Sequence, residues 1–185
     1  MSSDIEPKIK HKALFLDRDG VINLDKGYVF KKKDFIFLDG ILELIKYAKS
    51  LDYLVVIITN QSGIGRGLYS EDDFHKLSTW MKKEIEIHGG VVNAIYFCPF
   101  HPIHGIGSYK MESIDRKPNP GMLIKACMDF DIDLQESIFI GDKLSDMQAG
   151  ISAKVGKNIL FSMDENIKNP NFLKVTSFDE IYKYF

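Results

Sequence analysis

The chain has 185 residues, a length that suits one compact domain. Hydrophobic residues make up 45% of it and charged residues 27%, fractions that exclude a disordered chain, a collagen-like chain and a disulfide scaffold. The 24 lysines and arginines against 26 acidic residues leave a net charge of −2, which excludes the global basic field that binds nucleic acid.

Targeting signals and membrane segments are also not expected. Residues 1–12 are polar and charged and lack the apolar segment of a signal peptide. Apolar runs such as Leu54 to Ile58 are far shorter than the roughly 20 residues that span a bilayer. Two cysteines, Cys98 and Cys127, are consistent with a reducing compartment. We therefore expect a cytoplasmic protein with a polar tail over residues 1–11 and a single domain over residues 12–185.

The first predicted elements form a strand–helix–strand unit. Ala13–Leu16 is a short apolar run, typical of a strand that is buried on both faces of a parallel sheet. After a long loop, residues 40–51 carry apolar side chains at helical spacing, and residues 53–58 form the next apolar run. A helix that begins near Ser70, with acidic residues in its first turn, is predicted to end at residues 88–90.

The alternation of strands and helices continues to the end of the chain. We predict a strand over residues 91–97, a helix over 120–130, a strand over 137–140, a short helix over 143–151, a strand over 158–161 and a terminal helix over 177–185. This order indicates an α/β fold, a Rossmann-like doubly wound parallel sheet with helices on both faces. Only 56 residues separate Thr59 from Arg116, which leaves no room for a separate cap domain.

Polar residues follow four of the predicted strands, at the edge of the sheet where ligands bind in such folds. These segments are residues 17–20, 59–63, 98–102 and 141–146. Asp17 and Asp19 are spaced for acid–base, nucleophilic or metal chemistry, although an ordinary Asp-Gly turn has the same pattern. Asp142 adds a third carboxylate at this edge, and three such acids would repel one another without a cation such as Mg²⁺.

Two further side chains suit phosphate chemistry. Thr59 ends the second strand with a hydroxyl that can donate a hydrogen bond to phosphate oxygens, although a threonine can equally cap a turn. Lys117 lies between Pro118 and Arg116 in a constrained loop and can supply positive charge to a phosphoryl group. Taken alone, this lysine is equally explained as surface charge.

In combination these residues resemble the haloacid dehalogenase-like phosphatase superfamily. The motifs that match, in order along the chain, are Asp17-x-Asp19-Gly20, Thr59, Lys117 and Gly141-Asp142-x-x-x-Asp146. A narrower resemblance, carried by residues 17–23, 25–28, 59–67 and 116–122, is to the D-glycero-D-manno-heptose 1,7-bisphosphate phosphatases. Histidinol-phosphate phosphatases share much of this pattern.

The resemblance implies roles for individual residues. Asp17 is the expected nucleophile that forms an aspartyl phosphate, and Asp19 is the expected general acid and then base. Asp17, the backbone carbonyl of Asp19 and Asp142 are expected to hold Mg²⁺, while Thr59 and Lys117 bind the transferring phosphoryl group. Asp146 is expected to orient its neighbours. The expected substrate-binding residues are Asp25, Lys26, Gly27, Tyr28, Thr59, Asn60, Gln61, Ser62, Arg66, Arg116, Lys117 and Lys143.

One loop departs from the pattern of the resembling phosphatases. Their zinc loop has four ligands, and the corresponding positions here are Cys98, Phe100, Ser113 and Asp115. Since a zinc site needs about four nitrogen, sulfur or carboxylate ligands, we expect no zinc. An alternative ligand set of Cys98, Asp115 and the histidines 101 and 104 is chemically permissible.

The function that follows from the resemblance is Mg²⁺-dependent hydrolysis of the 7-phosphate of heptose 1,7-bisphosphate, for nucleotide-activated heptose and surface polysaccharide. The substrate partner is a small phosphorylated sugar, and we expect a monomer that binds neither nucleic acid nor membrane. The alternatives are a histidinol-phosphate phosphatase, a non-catalytic phosphate-binding protein on the same fold and, more weakly supported, a DNA 3′-phosphatase. The sequence does not decide which anomer of the heptose is used.

Overall fold

The computed structural model describes residues 10–185. The predicted polar tail lies outside this range except for residues 10 and 11. His11 already pairs with the body of the molecule, since it forms a parallel bridge with Ile132 and its carbonyl accepts a hydrogen bond from the backbone N–H of Asp133 at 2.8 Å. The division into a tail and one domain stays a prediction.

A single parallel sheet of six strands forms the centre of the described chain. Its order is β3-β2-β1-β4-β5-β6. The strands are β1 (Ala13–Leu16), β2 (Leu54–Asn60), β3 (Ala94–Cys98), β4 (Ile138–Gly141), β5 (Lys157–Phe161) and β6 (Leu173–Val175). The strand order reverses between β1 and β4, and ligands bind at such a switch point in doubly wound folds.

Helices cover the sheet on both faces. The α-helices are α1 (Ile41–Ser50), α2 (Ser62–Gly65), α3 (Glu71–Ile87), α4 (Gly121–Phe130) and α5 (Leu144–Ser152). Short 3₁₀-helices span Lys32–Asp34, Gly107–Tyr109 and Phe178–Tyr184. The predicted α/β architecture without a separate cap domain is confirmed for the described residues. None of their helices is both long and apolar enough to cross a membrane.

Side-chain alternation along β1 divides the interior into two cores. Leu14 and Leu16 pack on the face covered by α1 and α3, whereas Ala13 and Phe15 pack on the face covered by α4. All four side chains are fully buried. Burial on both faces explains why β1 is a continuous apolar run rather than an alternating one, and it fixes the residue after Leu16 at the edge of the sheet.

The predicted start of α3 is confirmed. The Ser70 hydroxyl accepts a hydrogen bond from the backbone N–H of Asp73 at 3.1 Å, and the Asp73 carboxylate accepts one from the backbone N–H of Ser70 at 3.0 Å. This reciprocal capping satisfies two backbone donors that would otherwise lack partners within the helix.

The main differences from the sequence predictions concern four elements. β6 and α2 were not predicted, because three and four residues are too few to show a period. The terminal helix over Phe178–Tyr184 is 3₁₀ rather than α. Its buried residues, Phe178 and Ile181, are three apart, a spacing that suits either helix. β3 begins at Ala94, three residues later than predicted.

Candidate active site

The candidate nucleophile follows directly from the end of β1. Asp17 is 5% exposed, and its Oδ1 atom accepts a hydrogen bond from the backbone N–H of Arg18 at 2.7 Å. The same oxygen lies 2.9 Å from Nζ of Lys117. Burial raises the pKa of Asp17 to about 7, although the Lys117 ammonium opposes this shift. The carboxylate is thus held in a fixed orientation at the sheet edge.

Lys117 is a buried ammonium with three acceptors rather than a surface charge. Its Nζ atom lies 2.7 Å from Oδ1 of Asp146 and donates to the carbonyl of Ile58 at 2.8 Å, in addition to the contact with Asp17. Burial disfavours the charge, but the carboxylates of Asp146 and Asp17 raise the pKa of Lys117 above its ordinary value. Asn60 fixes the loop, because its amide exchanges two hydrogen bonds with the backbone of Lys117 at 3.0 and 3.1 Å.

Asp146 joins Lys117 to the end of β4. Its Oδ2 atom accepts hydrogen bonds from the backbone N–H groups of Asp142 and Lys143, at 3.1 and 2.9 Å. These donors lie at the N-terminus of α5, where a carboxylate is favoured by the helix dipole. Asp146 therefore contacts both the ammonium and the backbone that carries Asp142. Its orienting role stays a prediction.

The acidic cluster fits a divalent cation. Oxygen atoms of Asp17, Asp142 and Asp146 lie within 4.8 Å of one another. Oδ1 of Asp142 is buried without a hydrogen-bond partner in the described structure, and burial raises the pKa of this group to about 6. Gly20 makes room for it, since a Cβ atom at that position would lie 2.2 Å from Oδ2 of Asp142. An unpartnered carboxylate oxygen beside two other acids is the environment that Mg²⁺ prefers.

The candidate acid–base residue is surrounded by donors. Arg18, whose side chain is 1% exposed, contacts both carboxylate oxygens of Asp19 at 2.8 to 3.1 Å and donates to the carbonyl of Val29 at 2.7 Å. The amides of Asn23 and Gln61 also donate to Asp19, at 3.0 and 3.1 Å. Asp19 is therefore anchored from three sides before any substrate binds.

A cavity of about 610 Å³, a volume suited to a small ligand, opens at this edge of the sheet. The predicted residues that line it are Asp17, Asp19, Asp25, Gly27, Tyr28, Thr59, Asn60, Gln61, Ser62, Arg116, Lys117 and Lys143. The structure therefore brings together most of the predicted site. Lys26, Arg66 and Asp142 do not belong to the lining, although Asp142 forms the acidic cluster with Asp17 and Asp146, which do line the cavity.

Charged side chains meet across the cavity mouth. Nζ of Lys143 lies 3.1 Å from Oδ2 of Asp25, which links the loop after β1 to the end of β4. The backbone N–H of Gly27 also donates to Asp25 at 2.9 Å. Burial alone would raise the pKa of Asp25, but the hydrogen bond from Gly27 and the charge of Lys143 lower it below its ordinary value. The guanidinium of Arg66 lies 5.8 Å from the ring centroid of Tyr28, which lines the cavity.

The divergent loop is organised by its own hydrogen bonds. The backbone N–H of His101 donates to the carbonyl of Tyr109 at 3.1 Å, and the ring nitrogen Nδ1 of His101 accepts from the backbone N–H of His104 at 3.1 Å. Cys98 is buried, which raises the pKa of its thiol. Over residues 10–185, the alternative zinc ligands Cys98, His101, His104 and Asp115 do not gather into a group with ligand atoms within 4.8 Å. That no zinc binds here stays a prediction.

Among the site residues that sequence reasoning missed, two form side-chain hydrogen bonds to predicted ones. Tyr69 lines the cavity, and its hydroxyl donates to Oε1 of Gln61 at 2.6 Å. Arg18 is buried against Asp19, whereas arginine is usually exposed. The position of Arg18 inside the Asp17-x-Asp19 motif was the available signal. Tyr69 had none, because it lies in a loop outside every motif.

Comparison with known proteins identifies the family. The family model described as polynucleotide kinase 3 phosphatase matches residues 12–168. A Burkholderia mallei protein named D-glycero-alpha-D-manno-heptose-1,7-bisphosphate 7-phosphatase is 59% identical over 152 residues, which are 82% of this chain and 80% of that protein. The chain belongs to the haloacid dehalogenase-like heptose bisphosphate phosphatases. It is accordingly a phosphatase, and the resemblance derived from the motifs is confirmed.

Other members of the heptose bisphosphate phosphatase family extend the match. A Campylobacter jejuni protein with the same alpha-anomer name is 48% identical and covers 96% of this chain and 97% of its own. A Haemophilus influenzae protein with the corresponding beta-anomer name is 45% identical and covers 81% of each. The crystal structure of D,D-heptose 1.7-bisphosphate phosphatase from B. bronchiseptica, complexed with magnesium and phosphate, has a TM-score of 0.80 at 29% identity and covers 94% of this chain and 99% of that one.

Proposed function

We propose that the protein hydrolyses the 7-phosphate of D-glycero-D-manno-heptose 1,7-bisphosphate, with Mg²⁺, in the biosynthesis of nucleotide-activated heptose for surface polysaccharide. The observation that carries this proposal is the buried Asp17 carboxylate, 2.9 Å from the Lys117 ammonium and beside the unpartnered Oδ1 of Asp142. The names of the relatives support the choice of substrate.

In the proposed mechanism, an oxygen of Asp17 attacks phosphorus and the bond from phosphorus to the sugar oxygen breaks. Asp19 gives its proton to the departing alkoxide, and an aspartyl phosphate remains on Asp17. Asp19 then takes a proton from water, which attacks the aspartyl phosphate and releases inorganic phosphate. The two carboxylates are two residues apart, and their different surroundings suit this division: Asp17 faces an ammonium, whereas Asp19 faces amides and a guanidinium.

Lys117 and Thr59 stabilise the transferring phosphoryl group. Its oxygens gain charge in the transition state, and a donor that is already fixed in place does not have to reorganise. The three N–H groups of Lys117 are engaged by Asp17, Asp146 and Ile58, so this side chain contributes positive charge, whereas the donor is the hydroxyl of Thr59, buried at the end of β2. Mg²⁺, held by Asp17, the Asp19 carbonyl and Asp142, supplies Lewis-acid polarisation of the phosphoryl oxygens when bound.

The second phosphate and the sugar are assigned to the cavity mouth. Arg116 and Lys143 both line the cavity, and guanidinium groups suit bidentate binding of phosphate. The Arg116 guanidinium is tied to the carbonyl of Phe100 at 3.2 Å, which orients it. Lys143 is engaged by Asp25, so binding an anionic sugar there exchanges one carboxylate partner for a phosphate.

We propose the alpha anomer as the preferred substrate, because the relatives at 59% and 48% identity carry that name, whereas the relatives at 47% and 45% carry the beta name. The test compares inorganic phosphate release from both anomers, from histidinol phosphate and from a 3′-phosphorylated oligonucleotide. We expect kcat/KM for the alpha anomer to exceed the others by at least about tenfold, since site contacts discriminate by one or more factors of ten. A preference for histidinol phosphate or the oligonucleotide would overturn the sugar assignment and keep the phosphatase chemistry.

The requirement for Mg²⁺ is tested by Asp142→Asn. The variant keeps the shape of the side chain and removes one charged oxygen from the acidic cluster. We expect phosphate release to fall at least about 100-fold, because metal Lewis acidity contributes several kcal/mol. Mg²⁺ should also raise the melting temperature of the wild type much more than that of the variant.

The matched control for this experiment is Asp72→Asn. Its carboxylate is exposed on α3 and pairs only with Lys76 in the described ion pairs, so both activity and the Mg²⁺ response should stay at wild-type values. Full activity of the wild type in excess EDTA would refute the metal assignment.

A further inference from the structure

Tyr69, Gln61, Asp19 and Thr59 form one continuous hydrogen-bonded set. The Tyr69 hydroxyl donates to Oε1 of Gln61 at 2.6 Å. The Gln61 amide nitrogen donates in turn to Oδ2 of Asp19 at 3.1 Å and to Oγ1 of Thr59 at 2.8 Å. Gln61 is 1% exposed and Tyr69 is 7% exposed, so water does not compete freely for these bonds. Asp19 and Thr59, which both have proposed chemical roles, therefore accept hydrogen bonds from the same amide nitrogen.

The direction of each bond in this set is determined by chemistry. Oδ2 of Asp19 already accepts hydrogen bonds from Arg18, so the end of the Gln61 amide that faces this oxygen is the donating NH₂ group. A flipped amide would place Oε1 against Oδ2 of Asp19 and would leave Thr59 without this donor. The Tyr69 hydroxyl stabilises the observed orientation, because it donates to the oxygen at the other end.

This orientation has a consequence for Thr59. Its Oγ1 atom already accepts a hydrogen bond from Gln61, so its own hydroxyl proton is available for another acceptor. Phosphoryl oxygens accept and do not donate. The Gln61 amide thus makes Thr59 a donor toward the position of the phosphoryl group, and the same amide anchors one oxygen of Asp19.

The Tyr69 ring is held in place independently of its hydroxyl. It stacks on Phe30 with ring centroids 5.0 Å apart and an interplanar angle of 7°. Gly63 permits this placement, since a Cβ atom there would lie 2.2 Å from Cε1 of Tyr69. Removal of the hydroxyl alone should therefore leave the ring packing unchanged.

We infer that Tyr69 is a positioning residue that acts through the Gln61 amide, holding Asp19 for proton transfer and directing the Thr59 hydroxyl toward the phosphoryl group. The inference rests on the proposed function, because it assigns Tyr69 a part in the same reaction. In this role Tyr69 does not contact the reacting atoms directly.

The test compares Tyr69→Phe with the wild type on two substrates. The heptose bisphosphate releases an alkoxide, which needs a proton from Asp19, whereas p-nitrophenyl phosphate releases a stable anion that does not. We expect kcat/KM for the bisphosphate to fall about tenfold, a part of the 10²- to 10⁴-fold that general acid catalysis provides. The decrease in kcat/KM for p-nitrophenyl phosphate should be smaller by at least about threefold, because with this substrate the variant weakens only the stabilisation of the phosphoryl group by Thr59.

Two further variants complete the experiment. Tyr96→Phe removes a tyrosine hydroxyl that donates to Asp129 at 2.7 Å, on β3 and away from the cavity lining, and should leave both substrates at wild-type rates. Gln61→Glu keeps the side-chain length but places a carboxylate between Asp19 and Thr59. We therefore expect kcat/KM to fall further in this variant than in Tyr69→Phe. Melting temperatures of all variants report on folding.

The outcomes separate the inference from the proposed function. Unchanged kinetics in Tyr69→Phe, or equal losses on the two substrates, would overturn the positioning role while the wild type remains an active phosphatase. A wild type that releases no phosphate from either substrate with Mg²⁺ would overturn the proposed function and this assignment with it.

Discussion

Asp17→Asn should abolish phosphate release and leave the fold intact. An amide does not attack phosphorus, and removal of an enzymic nucleophile lowers kcat by roughly 10⁴- to 10⁶-fold. The fold should survive because the asparagine oxygen can still accept the bond from the backbone N–H of Arg18. Lys117 keeps two acceptors, Asp146 at 2.7 Å and the Ile58 carbonyl at 2.8 Å. Phosphate release with Mg²⁺ and the melting temperature measure the two halves of this prediction.

Asp19→Asn is the informative comparison for this variant. It retains the nucleophile, so a substrate with a good leaving group should still phosphorylate Asp17, and the phosphoenzyme should then accumulate because water is no longer deprotonated. Asp17→Asn should form no phosphoenzyme with any substrate. Phosphate release at the wild-type rate from Asp17→Asn, with contaminating phosphatase excluded, would refute the role of Asp17.

The sheet and the cavity were predictable because burial leaves a strong pattern in the sequence. β1 and β2 are apolar on both faces, so their ends are marked by the first polar residues, Asp17 and the residues after Thr59. The parallel arrangement then brings those ends to one edge. β6 carries no comparable pattern, since it is three residues long with an exposed Leu173, and its position depends on pairing with β5.

The network behind the site was less predictable than its reacting groups. Gln61 was expected to face the substrate, and it does line the cavity, but its amide is occupied by Asp19, Thr59 and Tyr69. Hydrogen bonds between a strand end and a loop eight residues later depend on how the chain turns after β2. The turn is made by α2, which is too short to show in the sequence.

Buried charges illustrate a second limit of sequence reasoning. Lys117 as an isolated residue is indistinguishable from a surface lysine, and only its motif suggested a role. In the structure it is 3% exposed and lies between two carboxylates, 2.9 Å from Asp17 and 2.7 Å from Asp146. Three acids and one ammonium share this interior, which is why the cluster both fits a cation and depends on the lysine.

Lys117→Met should destabilise the protein by about 3 to 5 kcal/mol, the usual cost of removing one partner of a buried ion pair. Methionine fills a similar volume, so the loss reports the charge rather than a cavity. Asp17 would then lie beside Asp146 without the ammonium that opposes its raised pKa, so the protonated form of Asp17 would be favoured further. Because the folded state would take up protons, the loss should be greater at pH 8 than at pH 5. Urea unfolding in EDTA measures the free energy at both pH values.

Lys143→Met is the matched control, since this lysine lies at the same sheet edge with a half-exposed side chain and should cost no more than about 1 kcal/mol. The double variant Lys117→Met with Asp146→Asn should be more stable than Lys117→Met alone, because one of the two opposed carboxylates is neutral while the asparagine oxygen can still accept from the backbone of Lys143. Added Mg²⁺ should likewise restore part of the lost stability by supplying positive charge to the cluster. Equal unfolding free energies for Lys117→Met and the wild type would mean that the ammonium does not hold these carboxylates together, and that the cluster is solvated instead.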